Sequence, residues 1–433
     1  MKNLPNRFFT SIDINNHPLI NSKPVLKSRY FSLLKHFATN VYNNDLTAET
    51  LDIYRKILNV QSDTYQFKSN PMSYFLAPWR KKQILILIND LYLVNAPFNV
   101  SQNDFRETFT SFARGLCTNR QYNVLCKFIE RAFNLPINDK LCDYGNTLSI
   151  QVEKNRKFLG KEKTRIVFTA NMSSGKSTII NAIIGKKVTR TAQEVCTGNV
   201  SYIFNKSFED ERVHLANDKI TINAESDELL ANDWEDEKYI ASYFNLINEL
   251  SNPLCLIDTP GVNSSMDRQH GRITKNTLKE QEYDIVVHVL NAQQLGTEEE
   301  VSHLRWIKNN IQNRIVIFAL NKLDIFKANE DDIESSISLV KTDLEKIGFD
   351  NPIICPVSAR FAFLIKQKKL GVQLSEDEND EYDFYVKKFN KPAYDLSRFY
   401  PMNSTNPNDD ETIQLMKKSG FYGFEKIICG GKK

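Results

Sequence analysis

The chain has 433 residues, of which 41% are hydrophobic and 25% charged, with only 15 Gly and 14 Pro. This balance supports a buried core and excludes wholesale disorder, collagen-like sequence and Pro/Gly-rich low complexity. The net charge is +3 but uneven: residues 1–160 hold 21 Lys+Arg against 12 Asp+Glu, a net of +9, and the rest hold 35 against 41, a net of −6. A basic front is joined to an acidic back.

Residues 1–25 are irregular and rich in Asn and Pro. From about Lys27 to Ala132 the apolar spacing is helical: Tyr30, Leu33, Leu34 and Phe37 recur at three and four, as do Leu51, Tyr54, Ile57 and Leu58. Pro71, Pro78 and Pro97 punctuate this stretch, and residues 83–94 read as a deeply buried helix. Asn134–Gly145 reads as a linker. Beside Trp79, the run Arg80-Lys81-Lys82 reads as solvated surface, or as cations for anionic lipid headgroups or RNA.

After about Lys161 strand-like runs alternate with helical windows. The strands are expected at Arg165–Thr169, Leu254–Ile257, Ile285–Leu290, Ile315–Leu320 and Ile353–Pro356. The helices are expected at Lys176–Ile184, Ile273–Gln281, Glu298–Asn309, Asp331–Ile347 and Arg360–Lys369. Such alternation predicts a mainly parallel sheet with helices on both faces. Ligands of such sheets sit at the carboxyl ends of the strands, so the segments just after each strand matter most.

The first of these is Ala170-Asn171-Met172-Ser173-Ser174-Gly175-Lys176-Ser177-Thr178, opening a helix. Apart from Ala170 in place of the first Gly, this is the phosphate-binding loop pattern G-x-x-x-x-G-K-[ST]. A loop entering a helix aims backbone N–H groups at an anion. Lys176 is placed to reach the β- and γ-phosphates, and the Ser177 hydroxyl to bind Mg²⁺. Next comes Asp258-Thr259-Pro260-Gly261 after a strand, with a carboxylate for Mg²⁺ at Asp258 and a γ-phosphate-sensing N–H at Gly261. Then follows Asn321-Lys322-Leu323-Asp324. Asp324 can accept hydrogen bonds from the N1–H and 2-amino group of guanine, a donor pair adenine lacks. This selects GTP over ATP. The stem of Lys322 can lie along the base, Asn321 can tie this loop to the phosphate loop, and the backbone at Ser358 and Ala359 can cap the guanine O6.

A threonine closing over Mg²⁺ and the γ-phosphate is also needed. Thr189, Thr191 and Thr197 are available, and Thr197 is favoured because it lies just before the strand-like Asn199–Phe204 run. Thr197 would orient the attacking water and Ser173 could contact a monovalent cation. Arg190 reads as a solvated loop arginine, with an arginine finger in cis as the sharper alternative. Val262, where small GTPases often carry Gln, cannot orient water, so a slow intrinsic rate is expected. Glu225–Lys238 and Ser375–Glu381 are acidic and read as solvated faces.

These residues resemble the dynamin-like large GTPases, particularly the bacterial ones. The resemblance rests on Met172–Ala182, Glu194-Val195-Cys196-Thr197, Asp258–Asn263, Val289–Thr297 and Asn321–Asp324, and covers about residues 160–430. Met172 stands where eukaryotic members have Gln. The resemblance implies a GTPase that dimerises across its nucleotide faces, with hydrolysis stimulated by self-association, often on membranes. Its implied partners are a second copy of the chain, a second dynamin-like subunit, or an anionic membrane surface. The family carries a long helical stalk after its GTPase domain, and a chain ending at Lys433 is expected to lack one there. Nucleic acid is not expected as a partner, since no KH-like GxxG follows.

Together these readings predict an α/β fold: a P-loop NTPase G domain over residues 156–430, with a mainly parallel sheet flanked by helices, plus an N-terminal all-α module over 1–155. The seven cysteines form no CxxC pair, and several lie in apolar runs. With no secretory leader recognisable, a cytoplasmic protein, peripheral to membrane at most, is expected. The rival functional reading is a nucleotide-gated interaction module with slow hydrolysis that signals through its basic helical front.

Overall fold

The computed structural model describes residues 4–41, 47–61, 67, 70–75, 81–95, 101–133, 140–190, 199–217, 219–231, 237–247, 252–262, 268–327, 332–400 and 410–430. Thr191, Thr197 with Glu194, Val195 and Cys196, Asn263, and Trp79 with Arg80 lie outside the described residues. The side chains of Lys81 and Lys82 lie outside them too. The chain forms two compact units. One is Met1–Lys161 with Ser207–Arg212, and the other is Glu162–Lys206 with Val213–Lys433.

The first unit is helical: α1 (Pro24–Val41), α2 (Thr47–Ile57), α3 (Pro71–Phe75), α4 (Lys81–Asn95), α5 (Gln102–Arg114), α6 (Asn119–Phe133) and α7 (Lys140–Leu159). Helix α4 is its axis. Every residue from Ile84 to Val94 is buried, as an all-round apolar helix must be, and α1, α2, α6 and α7 pack against it. The linker expected at Asn134–Gly145 is corrected from Lys140 onward, where α7 has already begun. Gly145 is not a hinge but a point of close approach: a Cβ there would stand 3.0 Å from the Asn89 side-chain nitrogen of α4.

The buried face of α4 carries one carboxylate, Asp90. It is fully buried and accepts hydrogen bonds from Tyr54 at 3.0 Å, Tyr144 at 2.6 Å and Tyr30, with the His17 Nε2 at 2.9 Å. Burial first, and the adjacent carboxylate second, raise all three phenols far above their ordinary value, so they remain donors. This hub ties α1, α2, α4, α7 and the N-terminal segment together. The segment itself is held on one side by α7, whose Asn155 and Gln151 side chains each bond the backbone of Ser11 and Asp13 in both directions. On the other side Asp210 accepts from the Ile12 N–H at 2.9 Å and Arg212 donates to the Ile12 carbonyl. No helix among the described residues is long and apolar enough to cross a membrane.

The second unit holds a nine-stranded sheet in the order β4-β3-β5-β2-β6-β1-β7-β8-β9. Its elements run β1 (Thr164–Ala170), α8 (Lys176–Ile184), β2 (Ser201–Asn205), β3 (His214–Ala216), β4 (Ile220–Thr221), α9 (Ser226–Leu230) and β5 (Lys238–Ser242). There follow β6 (Leu254–Asp258), α10 (Arg268–Glu280), β7 (Ile285–Asn291), α11 (Glu298–Asn310), β8 (Ile315–Asn321), α12 (Ile333–Ile347), β9 (Ile353–Pro356) and α13 to α16 (Ala359–Lys369, Glu376–Phe389, Glu411–Lys418, Phe421–Cys429). Strands β6, β1, β7, β8 and β9 are parallel, whereas β2 runs antiparallel to β6 and β3 antiparallel to its neighbours. The expected strands and helices are found within a few residues of their expected limits. Strands β3 to β5 and helices α14 to α16 were not expected. Glu225–Lys238, read as a solvated acidic face, is helical over Ser226–Leu230 among the described residues, and Lys238 already begins β5.

The central parallel strands are buried along almost their whole length, with Ile166, Val167, Phe168, Val286, Val287 and Leu256 at 0% exposure, as a sheet covered on both faces requires. From β1 the chain turns toward β6, and from β6 it crosses to β7, β8 and β9 on the other side. Right-handed crossovers in opposite directions put α8 and α10–α12 on opposite faces. The carboxyl end of β1 is therefore the point where strand order reverses, the place in such sheets where ligands bind.

Removing the acceptor at the centre of the helical unit tests the hub. Asp90→Ala leaves three phenols and an imidazole without their shared partner, and is expected to cost ~3 kcal/mol or more. Urea unfolding followed by tyrosine fluorescence should show a lower midpoint.

Candidate nucleotide site

Ala170 closes β1 in extended backbone, and its carbonyl accepts the Val262 N–H at 3.1 Å. This explains why alanine can stand where the loop pattern has its first glycine: the positive φ angles fall later, at Ser173 (59°) and Gly175 (88°). Between them the Ser174 hydroxyl donates to the Asn171 carbonyl at 2.9 Å and closes the turn. Met172 packs against Gly261, where a Cβ would stand 3.1 Å from its Cγ. Ser173 is exposed. Gly175 caps α8, and a Cβ on it would collide with the side-chain nitrogen of Asn321. Lys176, Ser177 and Thr178 form the first turn of α8, whose leading N–H groups have no intrahelical acceptor.

The Lys176 ammonium pairs with the Asp258 carboxylate at the end of β6, both side chains nearly buried. Thr259 is turned away, its hydroxyl donating to the Phe168 carbonyl at 2.8 Å. Of the three candidate threonines, Thr189 is occupied elsewhere: its hydroxyl reaches the Asn181 side-chain oxygen Oδ1 at 3.1 Å and the Ser177 backbone carbonyl at 3.2 Å. Asn181 also accepts from the backbone of Val188 and Thr189 and donates to the Thr189 carbonyl at 2.8 Å. It pins the segment leaving α8. The arginine-finger alternative for Arg190 meets an obstacle, since its Nε donates to the Leu230 carbonyl.

Strand β8 delivers Asn321, Lys322 and Asp324. Asn321 donates to the Ser174 carbonyl at 3.0 Å and accepts from the Ala359 N–H at 3.1 Å. Its own carbonyl takes the Ala292 N–H at 3.0 Å. Lys322 has a left-handed φ of 68° and turns the loop. The carboxylate of Asp324 is buried and accepts from Ser358 at 2.7 Å; burial pushes its pKa up, with the Ser358 hydrogen bond pulling it back. Ser358 also caps α13 by accepting from the Phe361 N–H. The structure thus gathers Gly175, Thr178, Asn321, Lys322 and Asp324 around one cavity of about 540 Å³.

Other residues line that cavity without having been expected there: Arg360, Phe363, Glu378, Glu381, Tyr385 and Ile325. The acidic stretch Ser375–Glu381, read as a solvated face, is exposed at Ser375, Glu376, Asp377 and Asp380, but Glu378 and Glu381 are partly covered. It opens α14 with a Ser375–Glu378 capping box, and Glu378 and Glu381 both pair with Arg360. Arg360, next to Ser358 and Ala359, carried a weak positional signal. Tyr385 and Glu381 carried none, since no motif surrounds them.

The carboxyl end of β1, its phosphate-loop turn and the adjoining cavity define one site. The second unit has the P-loop G-domain fold. Its residues 166–323 match the family described as Dynamin family. The chain is 29% identical over 267 residues to the "Probable transmembrane GTPase FZO-like, chloroplastic" of Arabidopsis thaliana, covering 61% of this chain and 26% of that protein. It is 27% identical over 170 residues to Dynamin-like protein A of Bacillus subtilis (strain 168), covering 38% of this chain and 14% of that one. It therefore spans about a quarter or less of the length of these relatives. A solved structure of an oligomerised bacterial dynamin pair aligns with 84% of this chain and 57% of its own, at 16% identity and a TM-score of 0.36.

The Val289–Thr297 segment, which runs from the last residues of β7 to the cap of α11, is held by a buried acid. The Gly296 N–H, at a φ of 72°, donates to Glu300 at 3.0 Å, and Thr297 caps α11. Burial pushes the Glu300 carboxyl up to about 7. The folded chain then holds a proton that the unfolded chain has lost, so stability from this group is full below its ordinary carboxylate range and is lost as pH rises to about 7. Glu300→Gln should flatten that slope and stabilise the protein by up to about 3 kcal/mol at pH 8, with no gain near pH 4. Thermal melts across this range would show it.

Proposed function

We propose that this chain binds GTP with Mg²⁺ and hydrolyses it to GDP and phosphate, in the manner of the dynamin-like GTPases. The observation that carries the reading is Asn321. One side chain joins the phosphate loop at Ser174 to the Ala359 N–H, beside the buried Asp324 carboxylate. This arrangement suits a purine bearing two adjacent donors, linked to a phosphate chain.

The donor set suits a hard cation: the Ser177 hydroxyl and the Asp258 carboxylate are oxygen ligands of the kind Mg²⁺ takes alongside phosphate and water. The ion would neutralise charge on the β/γ oxygens. Lys176 would leave Asp258 for those oxygens as the phosphates enter, which frees the carboxylate for the metal or its water. The N–H groups of residues 173–178 would receive the phosphates, Gly261 would sense the γ-phosphate, and Thr197 would complete the metal shell and orient the attacking water. Ser173, exposed on the loop, is the residue for a monovalent cation. Val262 offers only hydrocarbon to the water, so the isolated chain would turn over slowly. Self-association across the nucleotide face would supply the missing stabilisation, with a second dynamin-like subunit or an anionic membrane surface as further partners.

A second reading, a nucleotide-gated interaction module, draws on one observation. Strand β2 follows the Thr197 segment and leads directly into Ser207–Arg212, which belongs to the helical unit. Movement at the nucleotide would then have a covalent route to the basic front.

Lys176→Ala is expected to lower GTP turnover at least 100-fold, measured by phosphate release; unchanged turnover would sink the assignment. For the wild type, specific activity should rise with protein concentration, and further with anionic liposomes. A flat response in both series, with tight GTP binding, favours the second reading.

A further inference from the structure

The acidic helix α14 has no part in the nucleotide motifs, yet it reaches the base-reading carboxylate from behind. Tyr385 is buried, and its hydroxyl lies 2.8 Å from a Glu381 oxygen and 3.4 Å from Asp324 Oδ2. One helical turn on, the buried Lys388 donates to the backbone carbonyls of both Asp324 and Phe326. It thereby clamps the tight turn on which Asp324 stands. Ser358 engages the other oxygen, Oδ1, at 2.7 Å. Asp324 is thus held at three points, two of them on α14.

The hydroxyl of Tyr385 has a single hydrogen. It is shared between two acceptors, the Glu381 carboxylate at 2.8 Å and, more weakly, Asp324 Oδ2 at 3.4 Å. Glu381 is itself fixed by Arg360, whose guanidinium reaches it through Nε at 2.9 Å and through a second nitrogen at 2.6 Å. The relay runs Arg360, Glu381, Tyr385, Asp324. It orients the carboxylate of Asp324, which lines the cavity.

We propose that α14 is a specificity element of the guanine site, with Tyr385, Glu381 and Lys388 as positioning residues that aim Asp324 at the base. The inference rests on the guanine-nucleotide reading above and names what enforces its selectivity. A carboxylate aimed correctly takes both the N1–H and the 2-amino group. One left free to swivel keeps one bond and loses the other.

The test is the ratio of affinities for GDP and IDP, which lacks the 2-amino group, with ADP as the third ligand, measured by fluorescent-nucleotide displacement on the full chain. Tyr385→Phe removes one oxygen from the relay. It is expected to lower the GDP:IDP affinity ratio about 3- to 10-fold, the scale of one hydrogen bond, with IDP affinity little changed. Glu381→Gln is expected to act in the same direction and carries the test should Tyr385→Phe fail to fold. A purely structural loss would weaken all three nucleotides together and leave the ratio untouched; that result, or an unchanged ratio in a folded variant, overturns the proposal. A wild type that does not prefer GDP to ADP instead overturns the guanine reading beneath it.

Discussion

The nucleotide face depends on the side chain of Asn321. The phosphate loop, the Asn321–Asp324 turn and the Ser358-Ala359 loop come from three separate strands, and β1 pairs directly with neither β8 nor β9. A buried amide has both donors and acceptors, and here it uses them on Ser174 and Ala359. The approach is so close that Gly175 admits no Cβ beside it. Each of the three loops therefore constrains the others. An aspartate or leucine at position 321 would leave a buried carbonyl or N–H without a partner, at a cost that falls on the whole face at once.

Much of this was legible because phosphate loops obey local rules. Lys176–Ile184 is helical as expected, since the apolar period and the glycine before it are local signals. The departure at Ala170 resolves in the same terms: the residue is the last of a strand, where alanine sits without strain. The chemistry that was not legible is the chemistry of distant partners. Ser375–Glu381 has the composition of a solvated helix, and only folding brings Glu381 and Tyr385 against Arg360 and Asp324. Gly145 looked like a break, and is instead the contact point of α7 with Asn89. Asp90 lay inside an apolar run with nothing to announce that three tyrosines from three helices would converge on it.

The same contrast separates the buried charges of the second unit from its surface ones. Lys366 in α13 pairs with Glu425 in α16, both almost fully buried, and also donates to the Ile183 carbonyl at 3.0 Å. Glu425 in turn accepts the Ile247 N–H at 3.1 Å. That carbonyl belongs to the last turn of α8, the helix that begins at the phosphate loop. A buried pair contributes little net stability, but breaking it by removing one partner is costly. It therefore acts as a register pin more than a glue, holding the end of α8 to the C-terminal helices.

These pins change how the residues after Ala359 should be regarded. By sequence they are a tail behind the last recognisable motif. By contact they are part of the site: α13 begins at the cap that receives Asn321, α14 holds Asp324, and α16 holds α8 through Glu425. A G-domain fold truncated after Ala359 would keep every motif residue and lose the α14 groups that position Asp324. The motifs are local in sequence, whereas the helices behind them, through Tyr385, Lys388 and Glu425, determine where those motif residues stand.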